Sequence, residues 1–270
     1  MWRTAVACVL TVGWLGSDGE RPPQTPASPG ESLAMAESLV WQDEFAAEGP
    51  PDATRWDYEV GLIRNDERQY YTRNRRENAR VEGGRLIIEA HRERYEGADY
   101  TSASLTSRAS WTYGRIEVRA KLPRGRGSWP AIWTLGTNIR DVGWPACGEI
   151  DIMEHVGFDP GRVHANIHTK AYNHVQGTNK GHSVLVQGAD EDFHVYSAAW
   201  SPERIDVSID GMRYFTFAKE ATGGDAVWPF DKAQYLILNL AIGGSWGGRN
   251  GIDDAAFPMR YEIDYVRVYR

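Results

Sequence analysis

The sequence predicts an all-β fold, an antiparallel sandwich, and three observations carry that reading. Apolar and charged residues alternate with a period of two in run after run, glycine-containing pairs punctuate the runs, and no amphipathic helix of ordinary length interrupts them. At 270 residues the chain is long enough for one large all-β domain. The first residues, Met-Trp-Arg, precede an apolar run from Thr4 to Gly16, the make-up of a signal peptide, which is expected over residues 1–19. That run is too short to span a membrane, so the expected destination is outside the cytoplasm, secreted or periplasmic. Residues 20–38, rich in Pro, Ser and Gly, predict a linker, and residues 39–270 a single domain, expected as a monomer. Within it, Gly83-Gly84 marks a turn before Leu86-Ile87-Ile88. Gly114 to Leu122 alternates over its whole length, as a half-buried strand does, and Arg162–His168, Arg204–Asp210 and Glu262–Tyr269 do likewise. Asp210-Gly211 is a hairpin signal.

Composition narrows the partner. Aromatic residues make up 11% of the chain, with 11 Trp, and flat indole faces suit the faces of sugar rings, although about half of such residues are expected in the core. A net charge of −7 argues against nucleic acid, whose phosphates need a concentrated basic surface. A neutral polysaccharide fits better. Of the two cysteines, Cys8 falls in the apolar leader, which would leave Cys147 without a disulfide partner after cleavage.

The chemistry concentrates in Gly148-Glu149-Ile150-Asp151-Ile152-Met153-Glu154. Strict alternation would set Glu149 and Asp151 on one face and Glu154 on the other. A β-bulge at Ile152-Met153 adds the residue that returns Glu154 to their side. Three carboxylates on one face resist full ionisation, so one should hold a proton near neutral pH, and a nucleophile beside an acid is what glycoside cleavage requires. In Val163-His164-Ala165-Asn166-Ile167-His168 the polar residues share a face, so the strand can present His168 to the cleft, where it is expected to contact substrate. The pair His164 and His168 offers no third metal ligand at a recognisable spacing.

The run Glu149 to Glu154 resembles the E-x-D-x-x-E signature of glycoside hydrolase family 16, in particular its bacterial laminarinases, the endo-β-1,3-glucanases. The resemblance extends from Val40-Trp41-Gln42-Asp43-Glu44-Phe45 through Gln69-Tyr70-Tyr71-Thr72, Tyr113-Gly114-Arg115-Ile116-Glu117 and Trp129-Pro130-Ala131-Ile132-Trp133 to Ile263-Asp264-Tyr265-Val266-Arg267-Val268-Tyr269. It implies a β-jelly roll of concanavalin A-like type with a concave substrate cleft. It also implies hydrolysis of β-1,3-glucan with retention by double displacement, without a catalytic cofactor. By the same resemblance Glu149 is expected as nucleophile, Glu154 as acid and base, and Asp151 as their electrostatic helper. Asn65 and Glu67 resemble a glycone-side loop, Trp129 and Trp133 cleft residues flanking the cut, and Trp246, among the glycines of Gly243 to Gly248, a sugar-stacking residue. A structural calcium is implied at Glu44, Gly84 and Asp264, through two carbonyls and one carboxylate.

One departure stands out. Where laminarinases of this kind carry an arginine after Thr-Ser-Ala, this chain reads Thr101-Ser102-Ala103-Ser104, and Arg108 is the nearest arginine to take its place. Mixed-linkage glucanase, galactan hydrolase and non-catalytic glucan-binding protein are the competing expectations.

Overall fold

The computed structural model describes residues 37–270, and the expected signal peptide and most of the linker lie outside them. These residues form one compact unit, Glu37–Arg270, built from two sheets. Across the smaller sheet the strands run Lys180–Leu185, Arg162–His168, Glu149–His155, Ser128–Gly136, Gln234–Ile242, Ser104–Trp111 and Trp56–Glu59. The larger sheet runs Met212–Ala218, Arg204–Ile209, His194–Trp200, Gly114–Lys121, Met259–Tyr269, Leu86–Tyr95, Ala98–Ser102 and Gln69–Tyr71. Leu39–Asp43 pairs with Met259–Tyr269 in it, and Ala79–Val81 with Leu86–Tyr95.

The turns form where the glycine pairs place them. Asp210 and Gly211 both take positive φ, 51° and 78°, the backbone that lets a two-residue hairpin follow the strand twist. Gly83 and Gly84, at 62° and 72°, turn the chain between Val81 and Leu86. The antiparallel expectation meets one exception: Gln69–Tyr71 pairs in parallel with Ala98–Ser102. A three-residue strand at the edge carries too little pattern to reveal its direction. Among the described residues, the only α-helix is Ile139–Val142.

The two sheets pack their inner faces together. Ile150, Ile152, Met153, Ala165 and Ile167 from the smaller sheet join Val118, Tyr196, Ala198, Val207 and Val266 from the larger in one buried cluster. Fully burying each of the larger aliphatic side chains contributes roughly 1.5–3 kcal/mol, which fixes the strand Glu149–His155 from beneath. Its three carboxylates are thereby committed to the opposite face.

Candidate active site

Ile152 and Met153 are consecutive, yet both sit in the buried core, which an unbroken strand forbids. The pairing explains it. Toward one neighbour the register runs Asp151 opposite Asn166 and then Glu154 opposite His164; toward the other it runs Asp151 opposite Trp133 and then Met153 opposite Ile132. The strand holds one residue more than either partner, the bulge that the carboxylate spacing calls for. Glu149, Asp151 and Glu154 consequently line the same cleft, of about 970 Å³.

Each carboxylate has its own surroundings. The Trp144 indole N–H donates to Glu149 Oε2 at 2.7 Å. Glu154 accepts from Trp129 Nε1 at 3.1 Å and from Asn166 Nδ2 at 2.8 Å, and Asn166 is oriented by Asn179 at 2.9 Å. Asp151 is 3% exposed, and its Oδ2 has no hydrogen-bond partner. His168 Nε2 stands 3.3 Å from that oxygen and 3.6 Å from Glu149 Oε1. Ligand-type atoms of Glu149, Asp151 and His168 lie within 4.8 Å of one another, close enough that the group could hold a metal ion.

Burial and mutual repulsion set the protonation of the trio. Burial, then the charges of Asp151 and Glu154, pushes the Glu149 carboxyl up to about 8, against the attraction of His168. Burial and the neighbouring Glu154 hold Asp151 well above the carboxylate range. Burial raises Glu154 as well, opposed by its hydrogen bonds from Asn166 and Trp129. Three negative charges do not coexist here near neutral pH, so the cluster retains a proton. Asp151, the most deeply buried of the three and held well above the carboxylate range by burial and the neighbouring Glu154, is the best place for one. With Asp151 protonated, Glu149 can ionise while Glu154 keeps a second proton.

The other expected site residues take distinct positions. Asn65 and Glu67 line the cleft, but Glu67 is buried and already accepts from Asn65, Gln69 and Tyr71 at 3.2, 2.8 and 3.1 Å. Its carboxylate holds the loop together, and the loop is held in turn by Ser245 N–H on the Asn65 carbonyl at 2.8 Å. Trp129 and Trp246 pack edge to face with centroids 5.5 Å apart, both half-buried on the cleft wall. Trp133 differs. It is 7% exposed, spends its indole N–H on Asn239 Oδ1 at 2.7 Å, and has the Arg64 guanidinium over its ring at 4.8 Å. It forms the floor, with that face already covered.

The suggestion that Arg108 replaces the missing arginine is corrected by the structure. Arg108 donates to the Ala53 carbonyl at 2.7 Å and pairs with Asp57 at 3.4 Å, away from the cleft lining. The strand Ser104–Trp111 has a register irregularity between its pairings with Ile237 and Tyr235, so spacing along it is a poor guide to direction. Two arginines line the cleft, Arg64 and Arg249, and Arg64 is the one over the Trp133 ring of its floor. Sequence reasoning also missed Trp144, which gave no signal in its loop, and Asn166, which the alternation of Arg162–His168 placed on the right face.

The implied calcium residues gather beside the interior strand Met259–Tyr269, where its pairing with Leu86–Tyr95 ends at Ile263 and its pairing with Leu39–Asp43 begins at Val266. The Asp264 carboxylate, the one side chain such a site would use, is engaged by Arg119 at 2.5 Å.

Fold and site together define a glycoside hydrolase: a β-sandwich with two acids set on either side of a third, above an indole-lined trough. The comparisons agree with that class. The model of glycosyl hydrolases family 16 matches residues 66–267. A beta-glucanase of Rhodothermus marinus is 55% identical over 242 residues, covering 86% of this chain and 85% of that one. The solved laminarinase of Rhodothermus marinus superimposes with a TM-score of 0.84 at 54% identity, covering 87% of this chain and 97% of that one. SCLam, a non-specific endo-β-1,3(4)-glucanase, gives 0.83 at 48% identity, covering 87% and 91%. The chain belongs to glycosyl hydrolases family 16.

Proposed function

We propose that the chain is a retaining endo-β-1,3-glucanase acting on laminarin-like β-glucan. The observation that carries this is the one-residue slip after Asp151, which faces Glu149 and Glu154 into one cleft. Glu149 attacks the anomeric carbon while Glu154 gives its proton to the departing glycosidic oxygen, leaving a glycosyl ester on Glu149. Glu154, now ionised, takes a proton from water. The water oxygen attacks the same carbon from the opposite side and frees Glu149, so two inversions give retention. Asp151, protonated and buried between them, limits the negative charge that Glu149 and Glu154 carry in turn.

The names of the Rhodothermus marinus relatives support the glucan reading. SCLam, named as non-specific, favours a second activity on mixed β-1,3/1,4 linkages. Reducing-end release from laminarin, lichenan and agarose separates the readings. Laminarin is expected to be cut fastest and agarose not at all, and a protein that binds laminarin without cutting it would overturn the assignment.

The acid's surroundings predict a pH effect. Asn166 favours ionised Glu154 by donating to it, so Asn166→Ala raises the Glu154 pKa. Glu154 must enter the reaction protonated, and the basic limb of kcat/KM therefore moves to higher pH. An unmoved or lowered limb would contradict the role given to Glu154.

Two further parts of the reading extend beyond the cleft. A calcium ion held by the Glu44 and Gly84 carbonyls and the Asp264 carboxylate is consistent with hard oxygen donors, and it requires Asp264 to release Arg119. Calcium should then raise Tm and a chelator lower it; indifference to both would remove the ion from the account. Export is supported by the basic start and apolar run of residues 1–16, and laminarin-cutting activity confined to the cytoplasm of an expressing cell would contradict it.

A further inference from the structure

One rung of the smaller sheet crosses the cleft floor. Glu154 lies opposite Ala131, Ala131 opposite Asn239, Asn239 opposite Ser104 and Ser104 opposite Glu59. At ~4.8 Å between strands the rung spans roughly 19 Å, room for several sugar units beside the bond that is cut. Its far end carries a charged group that the reaction above does not use. Arg64 is ion-paired through Nη2 with Glu59, and Glu59 Oε2 also accepts from the Ser104 hydroxyl at 2.6 Å. The guanidinium lies over Trp133 at 4.8 Å, and Trp133 is fixed by Asn239, whose amide donates to Tyr71 at 2.9 Å.

Arg64 is therefore held from below by an indole and from one end by a carboxylate, with its side chain 20% exposed. Among the described residues its Nε and Nη1 groups have no protein partner, and neither is sealed from solvent. Arg64 is one of the residues that line the cleft. Glu59 neutralises the charge, so a neutral ligand meets a rigid fork of N–H donors without a net field. Such a fork loses little freedom on binding and suits hydroxyl acceptors.

We propose that Arg64, on the platform of Trp133 and Glu59, is a substrate-binding residue that donates hydrogen bonds to hydroxyls of a glucosyl unit away from the cleaved bond. Ser104 acts through it as a positioning residue, since its hydroxyl fixes Glu59. The inference rests on the glucanase reading and deepens it by assigning a specificity contact.

The test compares Arg64→Ala and Arg64→Lys in the full chain, with Tm and circular dichroism as checks on folding. Arg64→Ala combined with Glu59→Gln serves as a second variant that leaves no unpaired carboxylate. Affinity for β-1,3-linked gluco-oligosaccharides is measured by calorimetry in a Glu149→Gln background, and kcat/KM on laminarin in the active background. Arg64→Ala should lower both about tenfold or more, with the loss in turnover efficiency carried by KM. Arg64→Lys, which keeps the charge but loses the fork, should recover only part. Ser104→Ala should give a smaller change of the same kind. Affinity and KM within twofold of the parent in any folded Arg64→Ala variant would overturn the proposal while leaving the glucanase reading intact. An unaltered chain that does not cut laminarin would overturn both.

Discussion

Glu149→Gln is expected to abolish hydrolysis of laminarin, lowering kcat by a factor on the order of 10⁴ or more, while oligosaccharide binding stays close to that of the parent. The size follows from removing the atom that forms the covalent bond; in hydrolases whose residues act as a unit, losing the nucleophile costs nearly as much as losing the whole set. The amide is nearly isosteric and can still accept from Trp144 Nε1, which donates to Oε2 at 2.7 Å in the native site. It also relieves part of the repulsion that raises the Glu149 carboxyl, so the variant should be at least as stable as the parent. Steady-state rates and calorimetric titration on one preparation check both halves. Turnover within tenfold of the parent would remove Glu149 as the nucleophile.

Glu154→Gln is the second large effect, and it should depend on the leaving group. Without a proton donor the glycosidic oxygen of a glucan departs poorly, and a loss of about 10²–10⁴-fold on laminarin is expected. An aryl glycoside with an acidic phenol needs little protonation, so formation of the glycosyl ester should survive and the ester should accumulate. Added azide, which needs no general base, should then release a β-glycosyl azide and restore turnover. Equal losses on both substrates, or no response to azide, would contradict the role of Glu154. Trp129 and Asn166 donate to this carboxylate, and the glutamine side chain accepts through one oxygen only, so a small fall in Tm should accompany the change.

Much of this site was legible in the chain because the periodicity of a strand is strict. In Glu149–His155 three acids at that spacing share a face only if one residue is added, and the register shows that residue at Ile152-Met153. The hairpin at Asp210-Gly211 was legible for a similar reason, since both positions take positive φ. Groups brought in by loops and long-range pairing were not legible. Trp144 reaches Glu149 from a loop, and Arg64 reaches the cleft because Glu59 and Ser104 pair across two strands far apart in sequence. The parallel pairing of Gln69–Tyr71 with Ala98–Ser102 is a tertiary choice that three residues cannot encode. Trp133 shows the limit of composition as a guide. An indole in a cleft-forming segment suits sugar stacking, but this one gives its N–H to Asn239 and has a face under Arg64.

The proposed roles of Glu149 as nucleophile and Glu154 as acid require two successive inversions. Proton NMR of the products of laminarin or a β-1,3-oligosaccharide in the first minutes of reaction, before mutarotation, reads this directly. The newly formed reducing ends should appear first as the β-anomer and only later equilibrate. Reducing ends that appear first as the α-anomer would mean a single inversion and would contradict the mechanism.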